Sequence, residues 1–181
     1  MKNLVQITEE EFDIKLDVAY ATSNNFVGKK VYEKPLCFLH EDLIGSLNKA
    51  IKLAKNQGLR LKIFDCYRPF SVQKYFYEQL GEKYPGLVSN PDGGRVPHCR
   101  GLAIDLTLID EKGRELDMGC GFDDVTDLAF HACQKISADA QKNRYLLLGI
   151  MVSAGFDFLL REWWHYNGFD LNRYPILDVK I

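Results

Sequence analysis

The sequence lacks a long apolar run. Its longest, over residues 145–156, has about a dozen residues and is interrupted by Gly149 and Ser153, whereas a membrane-spanning helix needs about 20 apolar residues. The chain turns acidic soon after Met1, without the apolar stretch of a secretory signal peptide. We therefore expect no membrane anchor and a cytoplasmic location.

The sequence also lacks an excess of basic charge and a closely spaced cysteine pair. Its formal net charge is −2, so it does not predict the basic surface of a nucleic-acid-binding protein. The five cysteines are odd in number, and none forms a C-x-x-C motif. They predict free thiols in a reducing compartment. Neither nucleic acid nor a membrane is expected as a partner.

Length and hydropathy patterning predict one domain spanning residues 1–181, because 46% of the residues are apolar and 27% are charged, as is ordinary for a globular protein. Strands and helices are mixed without strict β-α-β alternation. We therefore predict an α+β fold, with an antiparallel central sheet and helices packed against it. The periodicity predicts strands over residues 12–18, 59–65, 102–108 and 156–160, helices over 43–54, 70–80, 124–137 and 139–154, and a loop over 84–100.

The first candidate cluster runs from His98 to Asp105. His98 falls in the predicted loop, Asp105 lies inside an apolar strand, and Gly101 permits a tight turn between them. The two side chains can therefore converge. A carboxylate in an apolar strand is costly to bury unless it is paired or bound to a metal. The alternatives are a surface-loop role for His98 and an ion pair of Asp105 with Arg68 or Arg100.

The second candidate cluster is the segment Glu162-Trp-Trp-His165. Residues three apart share a face of a helical turn but point to opposite faces of a regular strand. A turn or bulge here would therefore direct Glu162 and His165 into one cavity, with Trp163 and Trp164 as apolar walls. The alternative is a packed aromatic patch with an exposed glutamate.

Together the clusters supply two histidines, one aspartate and one further acid. Three protein ligands and an open fourth position are typical of catalytic zinc, and nitrogen and oxygen ligands suit zinc better than calcium or magnesium. The further acid, Glu162, suits a general base. His40 and His131 have no such partners, and we assign His131 a packing role in a helix. Cys99 is a weaker candidate ligand than Asp105, since adjacent residues rarely point the same way.

Arg68 lies where a predicted strand ends and precedes Pro69, which restricts its backbone. A guanidinium here could polarise a scissile carbonyl and stabilise an oxyanion. The alternative is a surface arginine paired with Asp65 or Glu82.

Several segments, taken together, resemble the D-alanyl-D-alanine dipeptidases of the VanX type. The matches run in order over most of the chain, and their order and chemical consistency make the set specific. The segments are Tyr20-Ala-Thr-x-x-Asn25-Phe26-x-Gly28-Lys29, Asp65-Cys-Tyr-Arg68-Pro69, His98-x-x-Gly101-x-Ala103-x-Asp105, Met118-Gly119-x-x-Phe122-Asp123 and Glu162-Trp-Trp-His165.

The resemblance implies zinc-dependent hydrolysis of D-alanyl-D-alanine or a similar short dipeptide. It implies Glu162 as the base that activates water and later protonates the leaving amine, and Arg68 as the stabiliser of the transition state. It implies that Asp123 holds the ammonium group of the substrate, which a carboxylate does by charge-assisted hydrogen bonds. The implied ligands of one Zn²⁺ per chain are His98, Asp105 and His165.

The chain departs from the family pattern around the first histidine. The family usually carries serine two residues before it, whereas this chain has Val96 and Pro97 before His98 and Cys99 after it. This difference bears on which dipeptide is accepted. Two alternatives remain, a zinc D,D- or L,D-carboxypeptidase acting on longer cell-wall peptides and a non-catalytic zinc-binding interaction domain. The first has no need of Asp123 as an acidic cap, and the second has no need of both Glu162 and Arg68.

Overall fold

The computed structural model describes residues 3–84 and 88–181, so residues 85–87 of the predicted loop lie outside the described residues. The described part of the chain contains short strands, three α-helices and several 3-10 turns. In chain order these are β1 (Leu4–Ile7), β2 (Ile14–Leu16), β3 (Cys37–His40), α1 (Ile44–Lys55), β4 (Arg60–Asp65), α2 (Phe70–Leu80), β5 (Ala103–Ile109), α3 (Ala138–Ala154), β6 (Asp157–Phe158) and β7 (His165–Asn167).

The main sheet has five strands in the order β2-β4-β5-β7-β6. Its neighbours are antiparallel except for the pair β2–β4, which is parallel because the chain returns to the sheet through β3 and α1. The predicted α+β class is therefore confirmed, with one parallel pair in an otherwise antiparallel sheet. The separate antiparallel pair formed by β1 and β3 was not predicted from the sequence.

Three of the four predicted helices are present. The bounds of α2 match the prediction, and α1 ends shortly before Gly58, as predicted. At the start of α3, the Ser137 hydroxyl accepts a hydrogen bond from the backbone N–H of Ala140 at 3.0 Å, and α3 ends at Gly155, whose φ is 105°. The helices α1 and α3 pack against each other, and α1 packs on β4.

The predicted helix over residues 124–137 is wrong, since only Asp127–Ala129 form a single 3-10 turn there. The Asp124 carboxylate accepts a hydrogen bond from the backbone N–H of Thr126 at 2.8 Å, a local bond that competes with helix formation. His131 therefore lies outside any helix. Its ring is buried and contacts Phe158 and Tyr166, so the predicted packing role stands without the helix.

The core lies between the main sheet and the helices, and every residue of β5 is buried. This buried strand carries Asp105, so the carboxylate that stood out in the sequence is held inside the fold. All five cysteines are unpaired. Within residues 3–84 and 88–181, no helix combines the length and the apolar character needed to cross a membrane.

Candidate active site

The side chains of His98, Asp105 and His165 converge at the wall of a cavity. Asp105 lies opposite His165 in the β5–β7 register, so both side chains leave the sheet on the same face. His165 Nδ1 is 3.0 Å from Asp105 Oδ1, and His98 Nε2 is 3.3 Å from Asp105 Oδ2. One candidate ligand atom from each residue lies within 4.8 Å of the other two. The structure therefore brings together the three predicted metal ligands.

The loop that carries His98 turns sharply at Gly101, whose φ is 68°. A Cβ atom at this position would lie 2.4 Å from a methyl group of Leu4 in β1, so both the backbone conformation and the space favour glycine. The backbone N–H of His40 in β3 donates to the Gly101 carbonyl at 2.8 Å. The small β1–β3 sheet therefore supports the loop from behind.

The two imidazoles turn their inner nitrogens toward each other and toward the Asp105 carboxylate. His98 Nδ1 lies 2.5 Å from the carbonyl of Cys66, and His165 Nε2 lies 3.2 Å from Asn167 Oδ1. Because these oxygens accept, each outer nitrogen carries the ring proton. The inner nitrogens, His98 Nε2 and His165 Nδ1, are 3.2 Å apart. This separation is close to the roughly 3.3 Å expected between two nitrogen ligands of a tetrahedral Zn²⁺ ion.

The Asp105 carboxylate is held in its charged form despite its burial. Burial raises the pKa of this group, but the neighbouring His98 and His165 outweigh it and keep the pKa well below the usual range. A buried carboxylate beside two imidazole nitrogens, which give up their protons when they ligate a metal, is a donor set that fits a divalent cation such as Zn²⁺.

Glu162 reaches the same cavity through a turn. The backbone N–H of Glu162 donates to the Leu159 carbonyl at 3.1 Å, and that of His165 donates to the Glu162 carbonyl at 3.2 Å. Glu162 Oε2 lies 3.9 Å from His165 Nδ1. Burial raises the pKa of Glu162 to about 7, with His165 opposing the shift and Asp105 adding to it. The predicted turn is confirmed, but only Trp164 lines the cavity, while Trp163 is buried behind it.

Arg68 is a buried arginine with a fixed guanidinium. Its Nε and Nη2 donate to Asp65 Oδ2 at 3.1 and 2.8 Å, and its Nη1 donates to Gln73 Oε1 at 2.8 Å. Tyr32 donates its hydroxyl to the other carboxylate oxygen of Asp65 at 2.9 Å. The alternative of a surface arginine is wrong, because Arg68 is 8% exposed and lines the cavity. The pairing with Asp65 is present.

Asp123 lines the same cavity as His98, Asp105 and His165, the candidate metal ligands that we call the metal-binding group. Its backbone is left-handed, with a φ of 61°, and no helix begins there. Both carboxylate oxygens lie within hydrogen-bond distance of the Tyr20 hydroxyl, at 3.0 and 3.2 Å. Enclosure raises the pKa of Asp123 well above its usual value, and the charge of Asp105 adds to this.

No role was predicted from the sequence for Tyr20, Tyr32 or Gln73. Tyr20 contacts Asp123 and Gln73 contacts Arg68, whereas Tyr32 contacts Asp65, the ion-pair partner of Arg68. Gln73 was detectable as a polar residue on the buried face of α2, where it shares the helical spacing of Phe76. The two tyrosines carried no such signal, because a buried tyrosine in a core is common.

The sequence profile of the D-ala-D-ala dipeptidase family matches residues 1–179. This chain belongs to that family. It is 39% identical to the D-alanyl-D-alanine dipeptidase of Escherichia coli (strain K12) over 165 residues, which cover 91% of this chain and 84% of the relative. It is 34% identical to the D-alanyl-D-alanine dipeptidase of Enterococcus faecium over 171 residues, which cover 84% and 85% of the two chains.

Among solved structures, a mutant of the vancomycin-resistance D,D-pentapeptidase VanY in complex with Zn(II) aligns with a TM-score of 0.44 and 13% identity, covering 75% of each chain. The family that the sequence motifs predicted is confirmed by the profile match and by the relatives. The chain is therefore an enzyme of the dipeptidase family.

In this member of the dipeptidase family, the cavity measures about 360 Å³, which is within the usual range for small-molecule sites. Val96 and Pro97, which stand where the chain departs from the family's pattern, both line it. Cys99 does not, because its side chain is fully buried, and burial raises the pKa of its thiol to about 12. Within the described residues, Cys99 is not part of the metal-binding group.

Proposed function

We propose that this chain is a zinc-dependent dipeptidase that hydrolyses D-alanyl-D-alanine, or a similar short dipeptide, to free amino acids. The observation that carries the proposal is that one cavity is lined by a three-residue metal-binding group, by the acid Glu162 and by the acid Asp123. A small substrate in this cavity can meet a metal, a base and a counter-charge for its ammonium group together. We take residues 1–181 as one catalytic domain.

The protein would hold one Zn²⁺ through His98, Asp105 and His165. When bound, zinc supplies the Lewis acidity that polarises the scissile carbonyl. The chain's own contribution is to keep the ligands in place, since the Cys66 carbonyl and the Asn167 side chain fix the orientation of the two imidazoles. These bonds place a proton on each outer nitrogen, so the inner nitrogens are the ones that a metal would bind.

Glu162 acts as the general base and then as the general acid. It takes a proton from the attacking water as the C–O bond forms, and it returns that proton to the leaving nitrogen as the C–N bond breaks. A group that both accepts and donates a proton works best when its pKa lies near the working pH. Burial of the Glu162 carboxyl, which raises its pKa to about 7, suits it to both steps.

Arg68 stabilises the negative charge that develops on the carbonyl oxygen. Its guanidinium is held by Asp65 and Gln73 before substrate arrives, so little reorganisation is needed during the reaction. Its Nη2 is 3.8 Å from Oδ2 of Asp105. The positive charge therefore lies beside the metal-binding group, where the carbonyl would be polarised.

Asp123 selects short substrates by accepting hydrogen bonds from the free ammonium group. The Tyr20 hydroxyl holds the carboxylate in place. A longer peptide whose scissile bond lies at the same point would place a neutral amide against this acid, leaving the carboxylate without its counter-charge. The position of Asp123 in the cavity therefore favours a dipeptidase over a carboxypeptidase that acts on longer cell-wall peptides.

A metal analysis coupled to a peptide panel tests the proposal. The purified chain should contain about one Zn²⁺ per chain and should hydrolyse D-Ala-D-Ala in preference to the L,L and L,D dipeptides and to a longer peptide ending in D-Ala-D-Ala. Preference for the longer peptide would favour the carboxypeptidase alternative. Zinc without hydrolysis of any peptide would favour a zinc-binding interaction domain.

We also propose that the enzyme works in the cytoplasm on a small dipeptide, with neither nucleic acid nor a membrane as partner. The five unpaired cysteines support a reducing compartment, and the net charge of −2 supports the absence of a nucleic-acid partner.

A further inference from the structure

Arg144 in α3 is a fully buried arginine, and within the described residues it has no acidic partner at salt-bridge distance. An unpaired buried charge is costly unless hydrogen bonds or dipoles replace the lost water. Here backbone carbonyls supply them, and the ring of Trp163 lies 5.8 Å from the guanidinium carbon. Because burying this charge is costly, we expect Arg144 to have a role beyond packing.

The acceptors of Arg144 all belong to the segment that carries Asp123. We call residues 117–131 the Asp123 loop. Arg144 Nε donates to the carbonyl of Met118 at 2.6 Å, Nη1 donates to Phe130 at 2.7 Å, and Nη2 donates to Leu128 at 2.8 Å. Nη2 also lies 3.4 Å from the sulfur of Cys120. One side chain therefore joins the two ends of the loop.

Two neighbours of Arg144 on α3 strengthen the same attachment. Asn143 donates its side-chain amide to the carbonyl of Asp117 at 2.8 Å, and Gln141 donates to the carbonyl of His131 at 2.8 Å. These carbonyls are the first and last of the Asp123 loop. The first turns of α3 therefore bind both ends of the Asp123 loop through Asn143 and Gln141, and bind carbonyls inside the loop through Arg144.

The loop needs this attachment because it has little regular structure of its own. It contains one 3-10 turn, and Asp123 at its centre adopts a left-handed backbone that is uncommon outside glycine. Such a conformation persists only where its surroundings enforce it. The far end of the loop is also joined to the Glu162 turn, since the backbone N–H of Trp163 donates to the carbonyl of Ala129 at 3.1 Å.

We propose that Arg144 is a positioning residue that sets the place of Asp123, and thereby the preference for substrates with a free ammonium group. The inference rests on the proposed role of Asp123 as the ammonium partner. Arg144 does not line the substrate cavity. It acts by fixing the distance between Asp123 and the metal-binding group, which must match the length of one amino acid.

The test compares Arg144→Lys with the wild-type enzyme on D-Ala-D-Ala and on N-propionyl-D-alanine, which is the same molecule without the ammonium group. Lysine keeps the charge but cannot reach three carbonyls at once. We expect kcat/KM for D-Ala-D-Ala to fall by about ten- to a hundredfold, mainly through KM. The rate on N-propionyl-D-alanine should change little. Equal losses on both substrates would overturn the proposal, because they would indicate a general structural role.

A double-mutant cycle provides a second readout. If Arg144 acts through Asp123, then Arg144→Lys should have little further effect in an Asp123→Asn background, since residues that act through one another are not additive. Full additivity would contradict the proposal. The double variant Gln141→Ala/Asn143→Ala removes only the outer bonds, and it should shift the substrate preference in the same direction by a smaller factor even if Arg144→Lys folds poorly.

Lys142→Ala is the matched control, because Lys142 is exposed between these residues and, among the described residues, pairs only with Asp139. It should leave both substrates unaffected. Hydrogen exchange of residues 117–131 gives a readout that needs no activity, and exchange there should be faster in Arg144→Lys than in Lys142→Ala. Unchanged exchange would overturn the role of Arg144. Wild-type inactivity on D-Ala-D-Ala would instead count against the proposed function.

Discussion

Nη2 of Arg68 lies 3.8 Å from Oδ2 of Asp105, so the guanidinium and the carboxylate that we propose as a metal ligand share one buried site. Arg68 is also paired with Asp65. Asp65 and Asp105 are therefore two buried acids that share the positive charge of one arginine, and Asp105 also has the two histidines of the metal-binding group beside it. Because of this sharing, replacement of a single charged residue should affect chemistry and stability together, and the two effects must be measured separately.

Arg68→Ala should lower kcat by about 10²- to 10³-fold, the loss typical when a donor to a developing oxyanion is removed. It should also lower the free energy of unfolding by about 3–5 kcal/mol, because it leaves Asp65 buried without a counter-charge. Steady-state kinetics and denaturant unfolding measure the two effects. Adding Asp65→Asn should restore much of the stability but not kcat. An effect on KM alone would show that Arg68 only binds substrate.

Glu162→Gln should abolish most turnover without loss of zinc. The amide keeps the shape of the side chain but cannot accept the proton of water, so we expect kcat to fall by about 10³-fold. Zinc content by elemental analysis should match that of the wild type, since Glu162 lies outside the group of three ligands. Wild-type turnover in this variant would exclude Glu162 as the base.

Zinc removal should destabilise the fold as well as stop the reaction. Without a cation, His98 Nε2 and His165 Nδ1 face each other at 3.2 Å beside a buried carboxylate. A chelator should therefore lower Tm, and added Zn²⁺ should restore both Tm and activity, with Tm rising with zinc concentration. His165→Ala should show the low Tm with or without zinc. A Tm that does not respond to chelation would contradict a buried zinc site.

His131 should make the protein less stable in mild acid. Burial, with the charge of Arg144, lowers its pKa from 6.5 to about 4. Between these pH values the unfolded chain therefore binds more protons at His131 than the folded chain does. The free energy of unfolding consequently decreases as the pH falls, by at most about 1.4 kcal/mol per pH unit. Unfolding of the wild type and of His131→Phe should be measured from pH 7 to pH 4. The variant should lose less stability, and parallel curves would refute the assignment.

The sequence correctly predicted the helices and strands whose position is determined by their own hydrophobic periodicity and by the residues at their ends. The helix α2 begins just after Pro69 and carries a regular apolar face, so its bounds were predictable. The false helix over residues 124–137 had a comparable pattern. There, the carbonyls of Leu128 and Phe130 are hydrogen-bonded to Arg144 instead of to a following helical turn. A donor that comes from a distant part of the chain leaves no local signal in the sequence.

The site was predictable where its chemistry is concentrated in short motifs and less so where it depends on packing. Asp105 could be singled out because a carboxylate is unusual in an apolar strand. Tyr20 comes from a distant segment, and only the fold brings its hydroxyl to Asp123. Gln73 is close to Arg68 in sequence, and the α2 helix turns its side chain toward the guanidinium. The strands β1 and β3 are four residues each, too short for a clear alternating pattern.

Through the contact of Leu4 with Gly101, the N-terminal strand supports the active site although it lies far from the site residues in the sequence. The first strand is almost a hundred residues away from the loop that it supports, yet it forms the back wall of that loop. A truncated version of the protein that begins after β1 would keep all three proposed metal ligands and still lose the surface that supports the loop of His98. For anyone trimming this enzyme to a minimal domain, the N-terminal segment is therefore the wrong place to cut.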